Sequence, residues 1–277
     1  MIKTFTVPGR FHFQMELDPS FPADKHLINQ GINYEPEIMH LLLRTLKPGD
    51  HAVDVGANVG YFTLMMAALV GNTGRVTAFE PDFVHGTKML KSAQLNTHLD
   101  GSRIICCSKP VWSKEEPVTF YSSADDTAGS ALWNPGKWPG NVKSKLETTQ
   151  RVVDATTLDE SAGIHADTKV LKLDIEGSEL QALKGRSWML WRPPYIICEL
   201  NPFALEQMGE SQESLREFMD EIGYETYLLY RNGQMPKLVP MRTKIVPQHI
   251  INILFSSINA VSDAWPEEIM DERIVAR

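Results

Sequence analysis

The sequence predicts an α/β fold, a mostly parallel sheet with helices on both faces. Three observations carry this. Short apolar runs of strand length alternate with helical segments beyond residue 50, a glycine turn joins the first run to an apolar helix, and acidic residues recur where the runs end.

Residues 1–46 form an N-terminal extension ahead of this rhythm: a small extended region, then a helix in "EPEIMHLLLRTL" that stops before Pro48-Gly49. "HAVDV" reads as a short buried strand. "VGYFTLMMAALV", apolar nearly all round, reads as a covered helix. "RVTAFEP" is the next strand, followed by a helix over 82–98 and the strands "RIICC" and "PVTFY". Residues 122–150 interrupt the series. They are rich in Ser, Gly and Pro but carry Trp133 and Trp138. A loop this long in a compact domain is more often functional than accidental, so it is expected to be a lid or acceptor-side wall, with a plain surface excursion as the alternative. The rhythm resumes with "KVLKLDI", a helix over 178–184, "YIICEL", a helix over 212–222, "YETYLLY" and "HIINILFS". The main domain is therefore assigned to 47–277.

Composition narrows the function. Of 277 residues 43% are apolar, enough for a full core, and no apolar run approaches the roughly 18 residues of a membrane helix. "MIKTFTVPGRFHFQ" lacks the continuous apolar stretch of a secretory signal. Three cysteines, Cys106, Cys107 and Cys198, fall in expected strands and read as buried reduced thiols of a cytoplasmic protein. The formal charge is −8 with no basic block, which argues against nucleic acid and favours a small neutral or cationic ligand.

Ligands of such sheets gather at the carboxyl ends of the strands, so the first turn is informative. It runs Gly56-Ala57-Asn58-Val59-Gly60. In the G-x-G-x-x-G dinucleotide fingerprint the central glycine lets backbone approach a pyrophosphate. Here Asn58 stands in that place, and no Lys-Ser or Lys-Thr pair of a Walker loop follows. The turn suits a nucleoside with an amino-acid tail instead. S-adenosylmethionine has no phosphate. Its carboxylate is expected to take backbone N–H groups at the helix start, and Asp54 to balance its ammonium. Glu80, 20 residues beyond Gly60, is expected to accept the ribose hydroxyls. An ordinary β-α turn and a solvent-facing Glu are the plain alternatives.

"VDVGANVGYFT", "FEPD", "LKLDIEGSELQALKG" and "ICEL" together resemble the FkbM family of S-adenosylmethionine-dependent methyltransferases, and "GINYEPEIMHLLLRTLKPGD" is similar to the segment preceding its glycine turn. The resemblance covers roughly 27–255. It implies a class I methyltransferase fold, Rossmann-like, with a seven-stranded sheet whose last strand is antiparallel. It also implies O-methylation of natural-product or sugar hydroxyls. By that likeness Asp54, Gly56, Ala57, Asn58 and Gly60 line the methionine end, Glu80 binds ribose, and Val111 and Trp112 lie near adenine.

"LKLDIEGSEL" places Asp174, Glu176 and Glu179 where a strand opens into a helix. Ser178 with Gln181 fits a capping box, and Glu179 reads as structural. Asp174 is the first candidate for a catalytic base or acceptor-orienting group, followed by Glu176 and Glu199, because a hydroxyl acceptor must lose a proton. These carboxylates could instead hold magnesium, but no ligand spacing supports a metal, and none is assigned. "NPF" at 201–203 reads as a loop start. His12, His26 and His40 lie in the N-terminal region and could fold over the site, but are expected to be structural or exposed. Tyr121, Trp133 and Trp138 either stack on an acceptor ring or anchor local packing. The expected partner is a small-molecule, glycan or peptide acceptor, with neither nucleic acid nor membrane. N-methylation, an NAD-dependent oxidoreductase and a silent nucleoside-binding module are the alternatives.

Overall fold

A computed structural model describes residues 1–99, 103–123, 129–144, 146–160, 167–188, 192–246 and 249–266. The chain begins with a hairpin of β1 (Ile2–Val7) and β2 (Phe11–Glu16), turned at Gly9. Phe5, Phe11, Phe13 and Met15 alternate onto its buried face. Helices α1 (Pro22–Gln30) and α2 (Pro36–Thr45) follow. The central sheet then opens with β3 (His51–Val55), α3 (Tyr61–Val70), β4 (Arg75–Phe79), α4 (Phe83–Gln94) and β5 (Arg103–Cys107).

A separate antiparallel hairpin, β6 (Pro117–Ser123) and β7 (Thr148–Asp154), encloses the short helix α5 (Pro139–Ser144). The sheet resumes with β8 (Thr168–Leu173), α6 (Glu179–Lys184), β9 (Tyr195–Leu200), α7 (Pro202–Gln207), α8 (Gln212–Glu221) and β10 (Glu225–Leu228). It ends with β11 (Lys237–Val239), β12 (Ile251–Ser256) and α9 (Ile258–Ala264).

Eight strands make the sheet in the order β11-β10-β12-β9-β8-β3-β4-β5. The five from β9 to β5 run parallel, and β12 is antiparallel to both β9 and β10. This is the class I methyltransferase arrangement, with the last strand reversed. The expected seven strands are present, and the short edge strand β11 adds an eighth. "PVTFY" is a strand but belongs to the separate hairpin. The 122–150 segment is not all loop, since it contains α5 and the start of β7; residues 124–128 and 145 of it lie outside the described residues.

Side-chain alternation divides the core. Ala52, Val170 and Ile197 pack with α2, α3 and the N-terminal hairpin, whereas Val53, Val55, Leu171, Leu173 and Ile196 pack with α6 and α8. The hairpin is also tied to the turn that follows α4. Asn96 Oδ1 accepts the Gln14 N–H at 2.7 Å, and Asn96 Nδ2 donates to Gln14 O at 2.8 Å. The thiols correct one expectation. Cys198 is buried, but Cys106 is exposed, because β5 is the edge strand among the described residues. Among the described residues no helix is long and apolar enough to cross a membrane.

Candidate active site

Strands β3, β4 and β8 end side by side, and a cleft enclosing about 1100 Å³ of empty space, part of it open to solvent, lies over their tips. Its floor begins at the glycine turn. Gly56 has φ +82°, and a Cβ there would stand 1.8 Å from the Asp174 carbonyl oxygen, so only glycine lets β3 and β8 approach this closely. Gly60 is required for a different reason. It does not line the cleft; at φ +91° it starts α3, where a Cβ would meet Met89 Cγ at 2.5 Å.

Asn58 also adopts the left-handed conformation, φ +50°, with its Oδ1 accepting the Val59 N–H at 2.7 Å. The turn's donors are committed within the protein. Gly56 and Ala57 donate to Phe79 O, Asn58 to Glu80 Oε2, and Gly60 to Ala57 O. The N–H groups of the turn itself are thus already partnered, which leaves a ligand carboxylate only the donors at the start of α3.

Glu80 is where the sequence puts it, at the end of β4 and on the cleft wall. Its Oε2 accepts from Asn58 N and its Oε1 from Asp82 N, both at 2.7 Å. Each oxygen keeps a second acceptor direction, which is what a ribose diol needs. Burial pushes its carboxyl up to about 7, against the pull of His85 and these two N–H bonds. Val111 lines the cleft with Phe79, Pro81, Pro110 and Phe120, an apolar slot suited to a purine. Trp112 does not line it; its Nε1 donates to Glu116 Oε1 at 3.0 Å.

Asp54 is the clearest correction. Alternation along β3 sends it to the α3 face instead of out of the strand tip. It is fully buried there, accepting from Thr63 Oγ1 at 2.7 Å and lying 3.5 Å from Lys172 Nζ. Lys172 is its register partner on β8 and reaches Asp174 Oδ2 at 3.1 Å. Burial alone would lower the Lys172 ammonium, but Asp174, Asp54 and Glu35 together raise it above the ordinary lysine value. Asp174 lines the cleft beside Gly56, so it is the carboxylate this tip offers to a cationic tail.

Glu176 lines the cleft too, at φ +54°. Its backbone carbonyl accepts from Trp133 Nε1 at 2.6 Å and its Oε2 from Asn201 Nδ2 at 3.3 Å. Burial, with Asp174 and Glu179 beside it, pushes the carboxyl up to about 8. Glu199 does not line the cleft. Burial and the four carboxyl groups of Asp174, Glu176, Glu179 and Glu35 hold its carboxyl well above the usual range.

Glu179 is structural, as expected, since its Oε1 accepts from Ile175 and Gly177 N–H at 3.1 Å and clips the turn before α6. The Ser178–Gln181 capping box does not form. The Ser178 side chain makes no cap bond, and Gln181 reaches Glu210 instead. "NPF" starts a helix, not the loop expected there, with Asn201 capping α7 and Pro202 in its first turn. Among the described residues no three His, Cys, Asp or Glu converge as a metal site.

Sequence reasoning passed over several cleft residues. Lys172, within "KVLKLDI", is one of them. Tyr34, from the N-terminal segment, is another; it roofs the cleft with His26, the one of the three N-terminal histidines that lines it, whereas His12 stacks on His98 and His40 packs against Gly233. Glu35, beside Tyr34, carries φ +42°; burial, with Asp174 next, pushes its carboxyl up to about 7. The bare Gly56 backbone, the paired acceptors of Glu80, the apolar slot and Asp174 together fit S-adenosylmethionine.

Residues 54–226 match the family described as the methyltransferase FkbM domain. No match is found among curated proteins. Similar solved structures include precorrin 8w decarboxylase from Methanobacterium thermoautotrophicum, 14% identical, TM-score 0.45, over 88% of this chain and 97% of that one. An S-adenosylmethionine-dependent O-methyltransferase from Thermotoga maritima is 11% identical, TM-score 0.42, over 80% and 64%. Aeropyrum pernix fibrillarin, solved with natively bound S-adenosyl-L-methionine, is 10% identical, TM-score 0.40, over 79% and 74%. At these values the likeness says nothing of substrate. The family match spans more than half of the sequence and replaces the oxidoreductase alternative: the chain belongs to the FkbM methyltransferase family and is an S-adenosylmethionine-dependent enzyme.

Proposed function

We propose that the enzyme methylates a hydroxyl oxygen of a small natural product or sugar, with Glu176 as the proton acceptor. The observation that carries this reading is the position of Glu176, whose carboxyl lines the cleft while Asn201 holds one oxygen in place. Asp174 was the first expectation for this role, but it is engaged by Lys172 and stands against the Gly56 turn, which suits it to the methionine ammonium.

The bound cofactor supplies an electrophilic methyl carbon on a sulfonium. With the cofactor held over the strand tips, Glu176, steadied by Asn201, would accept the proton that the acceptor hydroxyl loses as its oxygen is methylated. A carboxyl raised to about 8 is well matched to that transfer, because a base works best with a pKa near the operating pH. Alignment of acceptor and methyl carbon contributes the larger share of the acceleration.

The test combines product identification with two variants. Cell extract incubated with isotopically labelled methyl donor is analysed by mass spectrometry, and a label on oxygen supports the reading whereas a label on nitrogen rejects it. With the acceptor so identified, Glu176→Gln is expected to lower kcat by about a hundredfold, the usual range for a lost proton acceptor. Calorimetric S-adenosylhomocysteine affinity should stay close to that of the parent. Asp174→Asn is expected to weaken that affinity. Full activity in Glu176→Gln would remove its proposed role.

A further inference from the structure

A second cavity, about 580 Å³ of empty space with part of it open to solvent, adjoins the cofactor cleft, and Gly129, Ala131 and Glu176 line both. Its other walls are Trp133, Pro135, Trp138, Asn141, Asn201 and Ile250. Both indoles are fixed. Trp133 donates to the Glu176 carbonyl, and the two rings meet Phe203 edge to face, at 5.7 and 4.9 Å between centroids.

Asn201 is fixed as well. Its Oδ1 accepts the Ala204 N–H at 3.2 Å to cap α7, which turns Nδ2 toward Glu176 Oε2. Glu176 Oε1 is then the oxygen left for a ligand at the boundary between the cavities. A Cβ on Gly129 would stand 2.7 Å from that atom, so glycine at 129 keeps the approach to it open.

We propose that this second cavity is the acceptor subsite and takes a neutral ring bearing hydroxyl groups, seated against Trp138 and Trp133 with one hydroxyl directed at Glu176 Oε1. The inference rests on the hydroxyl-methylation reading and names the acceptor class for it. An indole face accommodates the apolar face of such a ring, while amide and carboxyl groups at the edge bond its hydroxyls. Charge sets the neutrality. Asp174, Glu179, Glu199 and Glu35 lie around Glu176, and among the described residues lining the second cavity there is no cation. An anionic ring would enter without a counter-charge.

The experiment is a ligand-observed NMR titration of the protein saturated with S-adenosylhomocysteine. The probes are methyl α-D-glucopyranoside, methyl α-L-fucopyranoside and myo-inositol, with glucuronate as the anionic counterpart. At least one neutral ring is expected to bind saturably, and glucuronate about tenfold more weakly or worse, the cost of an uncompensated charge. Trp138→Ala should weaken the neutral ring by about tenfold, as loss of an aromatic anchor does, with S-adenosylhomocysteine affinity within about twofold of the parent. Trp138→Phe, which keeps an aromatic wall, should recover most of the loss and guards against misfolding. Glu176→Gln should narrow the gap between neutral and anionic rings. Failure of every neutral ring to bind, equal binding of glucuronate, or indifference to Trp138→Ala would overturn the proposal. A parent protein that does not bind S-adenosylhomocysteine would instead overturn the methyl-transfer reading beneath it.

Discussion

Replacing Lys172 by Met tests whether the cleft rests on a buried charge. Lys172 is 2% exposed, lies 3.1 Å from Asp174 and 3.5 Å from Asp54, and places its ammonium 5.2 Å from the centre of the Phe62 ring. Asp54 Oδ1 has no hydrogen-bond partner, so Lys172 is its compensation for burial. Methionine matches the stem in volume but leaves two neighbouring carboxylates without a cation. Removing one member of a buried pair costs about 3–5 kcal/mol, and loss of the cation–ring contact adds about 0.5–2 kcal/mol. Urea denaturation is expected to show a loss within or above the first range, with an unchanged m value. Adding Asp54→Asn removes the stranded charge, so the double variant should be more stable than the sum of the singles by about 0.5–3 kcal/mol. A Lys172→Met protein within about 1 kcal/mol of the parent would refute the argument, because Asp54 would then have some other source of compensation.

Two further outcomes follow from the carboxyl groups. Glu80→Gln keeps one acceptor oxygen but turns an NH2 toward a second backbone donor, leaving an unpaired buried N–H worth about 1–3 kcal/mol. S-adenosylhomocysteine affinity measured by calorimetry should fall, and an unchanged affinity would remove Glu80 from the ribose site. Glu35, Glu80 and Glu179 are raised by burial to about 7, and Glu176 to about 8, from an ordinary value of 4.5. A carboxyl with a raised folded-state pKa stabilises the fold fully below its unfolded value, and that contribution is lost as pH rises through the folded value. The cofactor-free protein should therefore melt at progressively lower temperature from pH 5 to pH 8, and a melting temperature that rises over this window would contradict the assignment.

Much of the sheet was legible because strand and helix periods differ plainly, as between "HAVDV" and "YFTLMMAALV". Strand β7 was not, because "TTQRVVD" is exposed along most of its length and has no apolar face to set a period of two. The role of Asp54 was misread for a recoverable reason. Counting back from Val55 puts Asp54 on the face of Ala52, and the same count on β8 puts Lys172 with Val170, so alternation already placed an acid and a base on one side. What no local pattern gives is their register, which depends on β3 and β8 pairing across more than a hundred residues. Tyr34 was illegible for a similar reason, since the roof it forms with His26 exists only once the N-terminal segment has docked on α3 and α4.

The left-handed residues reveal how the chain distributes strain. Where no side chain fits, it uses glycine: a Cβ at Gly56 would strike the Asp174 carbonyl, and one at Gly177 would stand 2.4 Å from the Ala204 backbone. Among the described residues only Glu35, Asn58 and Glu176 take positive φ without being glycine, at about 1–3 kcal/mol each, and all three belong to the cleft or its rim. Glu35 is held by the start of α2, where Ile38 N–H donates to its carbonyl at 3.1 Å. Asn58 bonds its own turn, and Glu176 is gripped through its carbonyl by Trp133 and through its carboxyl by Asn201. Glycine would relieve the strain at each position but delete the side chain. At Glu176 the deleted group would be the carboxyl between the two cavities, so the strain there is best understood as the cost of presenting that group, held by two fixed neighbours, to whatever occupies them.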